Sequence, residues 1–258
     1  MYLFIFGPQR SGSTLLMNIL GKHKDIDSVP NDLNIRSMFE EGIKLFPQTR
    51  DFEKLSQFFN VKDIIPLLSS DPKENTKIFL DEFFKKSKAK YHLVKVPKEE
   101  KNLKYYNDYF ECAVLFILRN PFSILSSRKY WKDQNGNTMR WEPLSTQNKK
   151  LNIESMKKSV SYLDTHINSL KDSIHIIGRE FNKNRCLDVV FYEDLITDPK
   201  NTINNICNKL ELKNFKTVNR LKLGEPYTSY DELKDKNEIF SDSLNKWKEN
   251  LTDIEKRL

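Results

Sequence analysis

Four short runs of the chain are apolar almost without a break: YLFIF at 2–6, YHLVKV at 91–96, AVLFIL at 113–118 and CLDVVF at 186–191. Between them apolar residues recur at helical steps instead. Unbroken apolar strands separated by helical periodicity are the form taken by a parallel sheet covered on both faces. The pattern therefore predicts an α/β fold of three layers, a central parallel sheet flanked by helices. The longest helical stretch runs from Ile153 to Phe181, where Met156, Val160, Leu163, Ile167, Leu170, Ile174 and Ile177 make one stripe expected to face the core. NDLNIRSMFEEGIKLF and DFEKLSQFFNVKDIIPLL read as helices of a cap inserted at about 33–90, and DQNGNTMRWEPLSTQN (133–148) as an irregular loop. With no repeat or low-complexity tract, residues 1–258 are expected to form a single domain.

Composition narrows the class. A chain of 258 residues with 38% hydrophobic and 12% aromatic residues can build a sizeable core, although 31% of it is charged. Its 43 Lys and Arg against 36 Asp and Glu give +7, spread along the chain. Such diffuse basicity suits a solvated surface, and also a polyanionic ligand or an anionic acceptor. No nucleic-acid motif or clustered basic stripe with interleaved aromatics appears, so no nucleic-acid partner is expected. Cys112, Cys186 and Cys207 are odd in number and far apart, which reads as small core residues in a reducing compartment. The first apolar run is too short for a signal-peptide core or a membrane span. The expectation is a soluble, cytoplasmic protein.

The candidate chemistry begins directly behind the first strand, in GPQRSGST at 7–14. Gly7 and Gly12 bracket four residues and Thr14 takes the hydroxyl position of a phosphate-binding loop, but Ser13 stands where a nucleotide-binding loop has lysine. A strand running through a glycine-bracketed turn into a helix gathers backbone N–H groups and a helix N-terminus around one point. Ser11, Ser13 and Thr14 add hydroxyls, and Arg10 adds a forked, permanent cation. AVLFILRNP ends its strand in Arg119 rather than in a metal-holding Asp, which disfavours a Mg²⁺-dependent ATPase or kinase. No metal site is expected.

These residues resemble a known family. GPQRSGSTLL looks like the 5′-phosphosulfate loop of sulfotransferases that use 3′-phosphoadenosine 5′-phosphosulfate (PAPS), so that Gly7, Pro8, Gln9, Arg10, Ser11, Gly12, Ser13 and Thr14 are expected at the donor. LRNPFSILSS resembles that family's 3′-phosphate motif, an Arg-x-Pro with a Ser eight residues after the Arg, which implies donor contacts from Arg119 and Ser127. VVFYEDLITDP is similar to a late YEDL strand and turn, bringing in Tyr192, and the Lys-Trp pair at 246–247 to a C-terminal pair, bringing in Trp247. The resemblance implies a P-loop α/β fold, PAPS as donor, adenosine 3′,5′-bisphosphate (PAP) as product, and a small-molecule or saccharide acceptor. A sulfuryl group carries less negative charge than a terminal phosphoryl, so positioning and fixed cations suffice without lysine and metal.

The remaining roles follow from the same resemblance. Arg10 is placed at the sulfuryl end as a catalytic cation, and Lys95, in VKVPK, at a strand end facing the active site or merely in solvent. Arg128 either assists Ser127 or is a solvated helix charge. Trp247 either stacks near the adenine or packs the C-terminal segment. Where relatives carry a carboxylate as general base, this chain has Asn31 with Asp32 beside it. Asp32 is the candidate base, with Glu40 and His92 as substitutes and a plain turn or helix cap as the other reading of Asp32. Residues 33–70 and the 133–148 loop would build the acceptor pocket, with Trp131, Arg140 and Trp141 either lining a sugar or a phenol or simply packing. A P-loop kinase or nucleotide-binding protein, and a non-catalytic PAPS- or PAP-binding module, stand as the alternatives.

Overall fold

The computed structural model describes residues 1–29, 69, 72–97, 99–129, 153–183, 187–215 and 244–257. Five strands form one sheet: β1 (Tyr2–Phe6), β2 (Ile26–Ser28), β3 (Tyr91–Lys95), β4 (Cys112–Leu118) and β5 (Asp188–Phe191). All neighbours are parallel, and the order is β2-β3-β1-β4-β5. Strand β1 is central and wholly buried. It pairs in register with β3, Tyr2 opposite His92, and with β4, Phe6 opposite Phe116.

Because strand side chains alternate between faces, the continuous apolar runs supply two cores at once. Tyr2, Phe4, Phe6, Val94, Val114 and Phe116 fill one, and Leu3, Ile5, Leu93, Leu115 and Ile117 the other. The first face is covered by α2 (Pro72–Phe84), through Phe79, Leu80 and Phe84, and by α3 (Leu103–Tyr109), which follows a 3-10 turn at Glu100–Asn102 and supplies Leu103 and Tyr106. The second face is covered by α1 (Ser13–Leu20), through Leu16, Met17, Ile19 and Leu20, and by α7 (Pro199–Lys209), through Ile203, Ile206 and Cys207. The three layers expected from the pattern are present.

Two further helices matter for the site. Helix α4 (Pro121–Lys129) follows β4, and α5 (Ile153–Asn182) is the expected long helix. Its apolar stripe is narrower than its sequence suggests. Leu163, Leu170 and Ile177, seven residues apart, are buried, whereas Val160 and Ile174 are 36% and 38% exposed. A seven-residue spacing on a 3.6-residue helix fits one seam, and the second row of apolar residues falls beside it. Helices α6 (Tyr192–Thr197), α8 (Lys246–Asn250) and α9 (Asp253–Arg257) complete the described elements. Of the cap expected at about 33–90, the described part includes α2, which packs on the sheet rather than apart from it, while 33–68, with Asn31, Asp32, Glu40, Trp131, the 133–148 loop and Cys186, lie outside the described residues.

Candidate active site at the carboxyl edge of the sheet

Parallel strands place all their carboxyl ends on one edge. From β1 the chain leaves toward β2, and from the adjacent β4 toward β5, so the connections diverge between these two strands. Such a switch point is where open α/β sheets leave a crevice for a ligand. The Gly7–Thr14 segment follows β1, Lys95 ends β3, Arg119 follows β4 and Tyr192 follows β5, so the sheet alone brings four of the expected site segments to one edge.

The glycines of the loop are there for space and for backbone shape. A Cβ on Gly7 would stand 2.4 Å from the Ile117 carbonyl oxygen. Gly12 has φ 99° and caps α1 in the left-handed region, and a Cβ there would meet the Tyr192 ring at 2.3 Å. Glycine occupies this region without the steric penalty of other residues. Gly12 has no side chain with which to cap α1, so among the described residues the first N–H groups of the helix, which have no partner within it, face the loop where an anion can meet them.

Arg10 also has a left-handed backbone, with φ 74°. A non-glycine residue keeps that conformation only where its surroundings impose it. Here the Ser11 amide donates to the Pro8 carbonyl at 3.1 Å. Arg119 donates through Nη1 to the Arg10 carbonyl at 3.1 Å, and Arg128 through Nη2 to the Gln9 carbonyl at 3.4 Å.

Side chains from β3, the end of β4, α4 and α6 then converge on the loop. Arg10 donates through Nε to Ser127 Oγ at 2.9 Å, and Lys95 through Nζ to Thr14 Oγ1 at 2.8 Å. The Arg119 guanidinium lies over the Tyr192 ring, 4.2 Å from its centre, a cation–π contact that also fixes the ring packed against Gly12. Glu193 accepts from the Asn120 amide at 2.9 Å, and Asn120 in turn caps α4 by accepting from the Phe122 amide at 2.9 Å. Ser11 is fully buried, and its Oγ has no partner among the described residues. A buried hydroxyl normally finds one. Together, an orphaned hydroxyl, an uncapped helix N-terminus and the cations Arg10, Lys95 and Arg119 suit an anionic ligand carrying phosphate-like groups.

Of the expected site residues, Gly7, Pro8, Gln9, Arg10, Ser11, Gly12, Ser13, Thr14, Lys95, Arg119, Ser127 and Tyr192 share this edge. Trp247 stacks on Phe122 of α4, with ring centres 5.0 Å apart, in a small cluster with Leu125, Leu163 and Leu251. That is the packing alternative of its two readings, and no described contact joins it to the loop. His92 cannot serve as the base: it lies opposite Tyr2, at the amino end of β1, whereas the loop leaves the carboxyl end. Arg128 is buried and bound to the loop rather than a solvated charge. Glu193 was not singled out by sequence, although its YED triplet was. Only its position at the end of β5, beside Asn120, reveals its partner.

A groove of about 560 Å³ runs along β5 and α7, lined by Asp188, Asp194, Asp198 and Asn201 among others. Its carboxylates are unsuited to an anionic donor. Asp188 pairs with Lys209 at 2.8 Å, and Asp198 caps α7. Among the described residues, no three His, Cys, Asp or Glu side chains gather as a metal site, and no helix is long and apolar enough to cross a membrane.

The sequence matches the model of the sulfotransferase family over residues 3–216. Among solved structures, a sulfotransferase domain from the curacin biosynthetic pathway superposes with a TM-score of 0.61 at 18% identity, covering 99% of this chain and 94% of that one. The sulfotransferase domain of the Synechococcus PCC 7002 olefin synthase gives 0.57 at 18% identity, with 98% and 88% covered. Mouse sulfotransferase SULT7A1, solved in complex with PAP, gives 0.53 at 15% identity, with 99% and 80% covered. At these identities the structural likeness is one of fold. No curated protein matches the sequence.

Proposed function

The chain belongs to the sulfotransferase family, and from that premise we propose that it is a cytoplasmic, PAPS-dependent sulfotransferase. It moves a sulfuryl group onto a hydroxyl or amine of a small molecule or saccharide and releases PAP. Bound PAPS supplies an activated sulfuryl group: the acceptor oxygen or nitrogen bonds to sulfur, the bond from sulfur to the 5′-phosphate breaks, and the acceptor's proton passes to a base.

The chain's own residues bind and orient. The amides of the Gly7–Thr14 loop and the orphaned Ser11 hydroxyl receive the 5′ end of the donor. Arg119 and Ser127 receive the 3′-phosphate, and a guanidinium's fork suits that group. The observation that carries the reading is the junction of the two motifs, with Arg10 of the loop bonded to Ser127 and Arg119 bonded to Arg10. Arg10 and Lys95 are fixed cations placed to take up charge developing on the bridging oxygen, which acts best in a preorganised site. Asp32 is the proposed general base. Its neighbour Asn31, at the place where relatives carry a carboxylate, favours a second reading, a module that binds PAP without turning over.

The testing experiment is a calorimetric titration with PAP, with AMP and ADP as controls. Selective binding of PAP, unaltered by EDTA, is the expected result. A preference for ADP with Mg²⁺ would return the chain to the kinase class, and PAP binding without sulfuryl turnover across a broad acceptor panel would favour the module.

A further inference from the structure

Helix α4 sends three consecutive polar side chains to three neighbours. Ser126 Oγ accepts from Asn250 Nδ2 at 3.0 Å, and Ser127 Oγ accepts from Arg10 Nε at 2.9 Å. Arg128, only 6% exposed, reaches two ways, with Nη2 donating to the Gln9 carbonyl at 3.4 Å and Nη1 to His166 Nδ1 at 3.0 Å. Burial works against the charged guanidinium, Arg10 opposes it further, and Tyr162 and Glu100 favour it. Withdrawing a charge from water is costly unless the charge is used.

Peptide geometry shows the use. In a planar trans peptide the C=O and N–H point opposite ways. Fixing the Gln9 carbonyl therefore aims the Arg10 amide, and the bond from Arg119 to the Arg10 carbonyl fixes the next peptide. Two guanidiniums thus clamp the consecutive carbonyls that flank the one non-glycine loop residue with a left-handed backbone. Arginine has no acceptor, so His166 Nδ1 must accept, with the ring proton on Nε2. Helix α5 in this way seats the fork.

We propose that Arg128 is a positioning residue for the phosphate loop: its guanidinium, seated on His166 of α5, holds the Gln9 carbonyl and keeps the Arg10 backbone in its left-handed, anion-receiving form. Its consequence for donor binding rests on the function proposed above; its consequence for the loop does not.

The test reads the loop amides of Arg10, Gly12 and Ser13 by ¹⁵N NMR in the ligand-free protein, and PAP affinity by titration. Arg128→Met should move these amides and weaken PAP about tenfold, the loss of roughly one good contact. Arg128→Lys, which keeps the charge but lacks the fork, should not restore them. His166→Gln retains an acceptor and should leave the amides near their wild-type positions, whereas His166→Leu should move them in the direction of Arg128→Met. Weaker PAP binding with unmoved amides would make Arg128 a direct ligand contact, and unmoved amides with unchanged binding would make it only a packing residue; either overturns the proposal. Should Arg128→Met fail to fold, the two His166 variants decide, and identical loop spectra in them overturn it. A wild-type protein that does not bind PAP would defeat the donor assignment instead, leaving the amide criterion in force.

Discussion

The guanidinium of Arg10 and the hydroxyl of Ser127 meet at 2.9 Å, although 117 positions separate them in the chain. Sequence assigned them to opposite ends of the donor, the sulfuryl group and the 3′-phosphate. Their contact makes the two ends one unit, so their contributions to donor binding should not be independent. In a double-mutant cycle of Arg10→Ala and Ser127→Ala, PAP titrations should give a coupling of about 0.5–3 kcal/mol, as residues sharing a network do. Losses that simply add would mean that the pair separates when ligand binds.

Arg119 supports the loop and is the proposed 3′-phosphate ligand, and these two roles have different signatures. Losing a charge-assisted hydrogen bond costs about 1.5–3 kcal/mol, so Arg119→Ala should weaken PAP roughly ten- to a hundredfold. AMP, which lacks the 3′-phosphate, should lose far less. Equal losses for both ligands would leave Arg119 only the support of the Arg10 carbonyl.

The loop, the strand ends and Arg119 were legible in the sequence because each rests on local pattern: a run of apolar residues, a glycine spacing, a residue following a strand. Partners across the fold were not. Nothing local distinguishes Arg128, bound to Gln9 and His166, from the exposed basic residues elsewhere on the chain. Val160 and Ile174 look like core by periodicity, yet they fall beside the buried seam of Leu163, Leu170 and Ile177 and stay exposed. Strand β2 has three residues, Ile26–Ser28, too few to show alternation. His92 is the instructive error, since its place along β3 decides which end of the sheet it serves, and only the register with Tyr2 fixes that.

Gly12 is constrained twice over. Its φ of 99° disfavours any side chain, and an added Cβ would meet the Tyr192 ring, itself stacked under Arg119. Gly12→Ala should therefore weaken PAP binding by displacing Tyr192 and Arg119, besides adding about 1–2 kcal/mol of backbone strain. Pairing it with Tyr192→Leu should recover part of the binding but not the strain, as titration and denaturant unfolding can separate. Full retention of binding in Gly12→Ala would make the loop an ordinary turn.

His92 links stability to pH at the far end of the sheet. It stacks on Phe84, with ring centres 4.3 Å apart, and its Nε2 is buried without a partner among the described residues. Burial lowers its pKa, the amino-terminal charge adds to that effect, and Asp27 and Asp81 oppose it. A ring held neutral in the folded state binds fewer protons than in the unfolded chain, where it titrates near about 6.5. Its contribution is then present above that pH and lost as pH falls through it. Urea midpoints should drop between pH 7.5 and 5.5, and His92→Phe should shrink the drop. An unchanged drop in that variant would assign the pH dependence to other groups.

Lys129, at the end of the helix that carries Ser127, tests how firmly that helix is anchored. Its Nζ donates to Glu255 Oε2 at 2.7 Å and to the Asn250 carbonyl at 2.9 Å, with the two charged side chains 1% and 0% exposed. The same Glu255 oxygen accepts from the Thr252 amide at 2.8 Å, while Thr252 Oγ1 accepts from the Glu255 amide at 3.3 Å, a reciprocal cap at the start of α9. Lys129→Met would strand a buried carboxylate, a change that costs about 3–5 kcal/mol. The double variant Lys129→Met, Glu255→Gln removes both charges but keeps an acceptor for the Thr252 amide, so it should recover most of that loss. Because α4 also carries Ser127, PAP affinity should fall with the single variant and return with the double. Denaturant unfolding and PAP titration on the three proteins check this, and a single variant within about 1 kcal/mol of wild type would mean that the pair is solvated and does not hold α4.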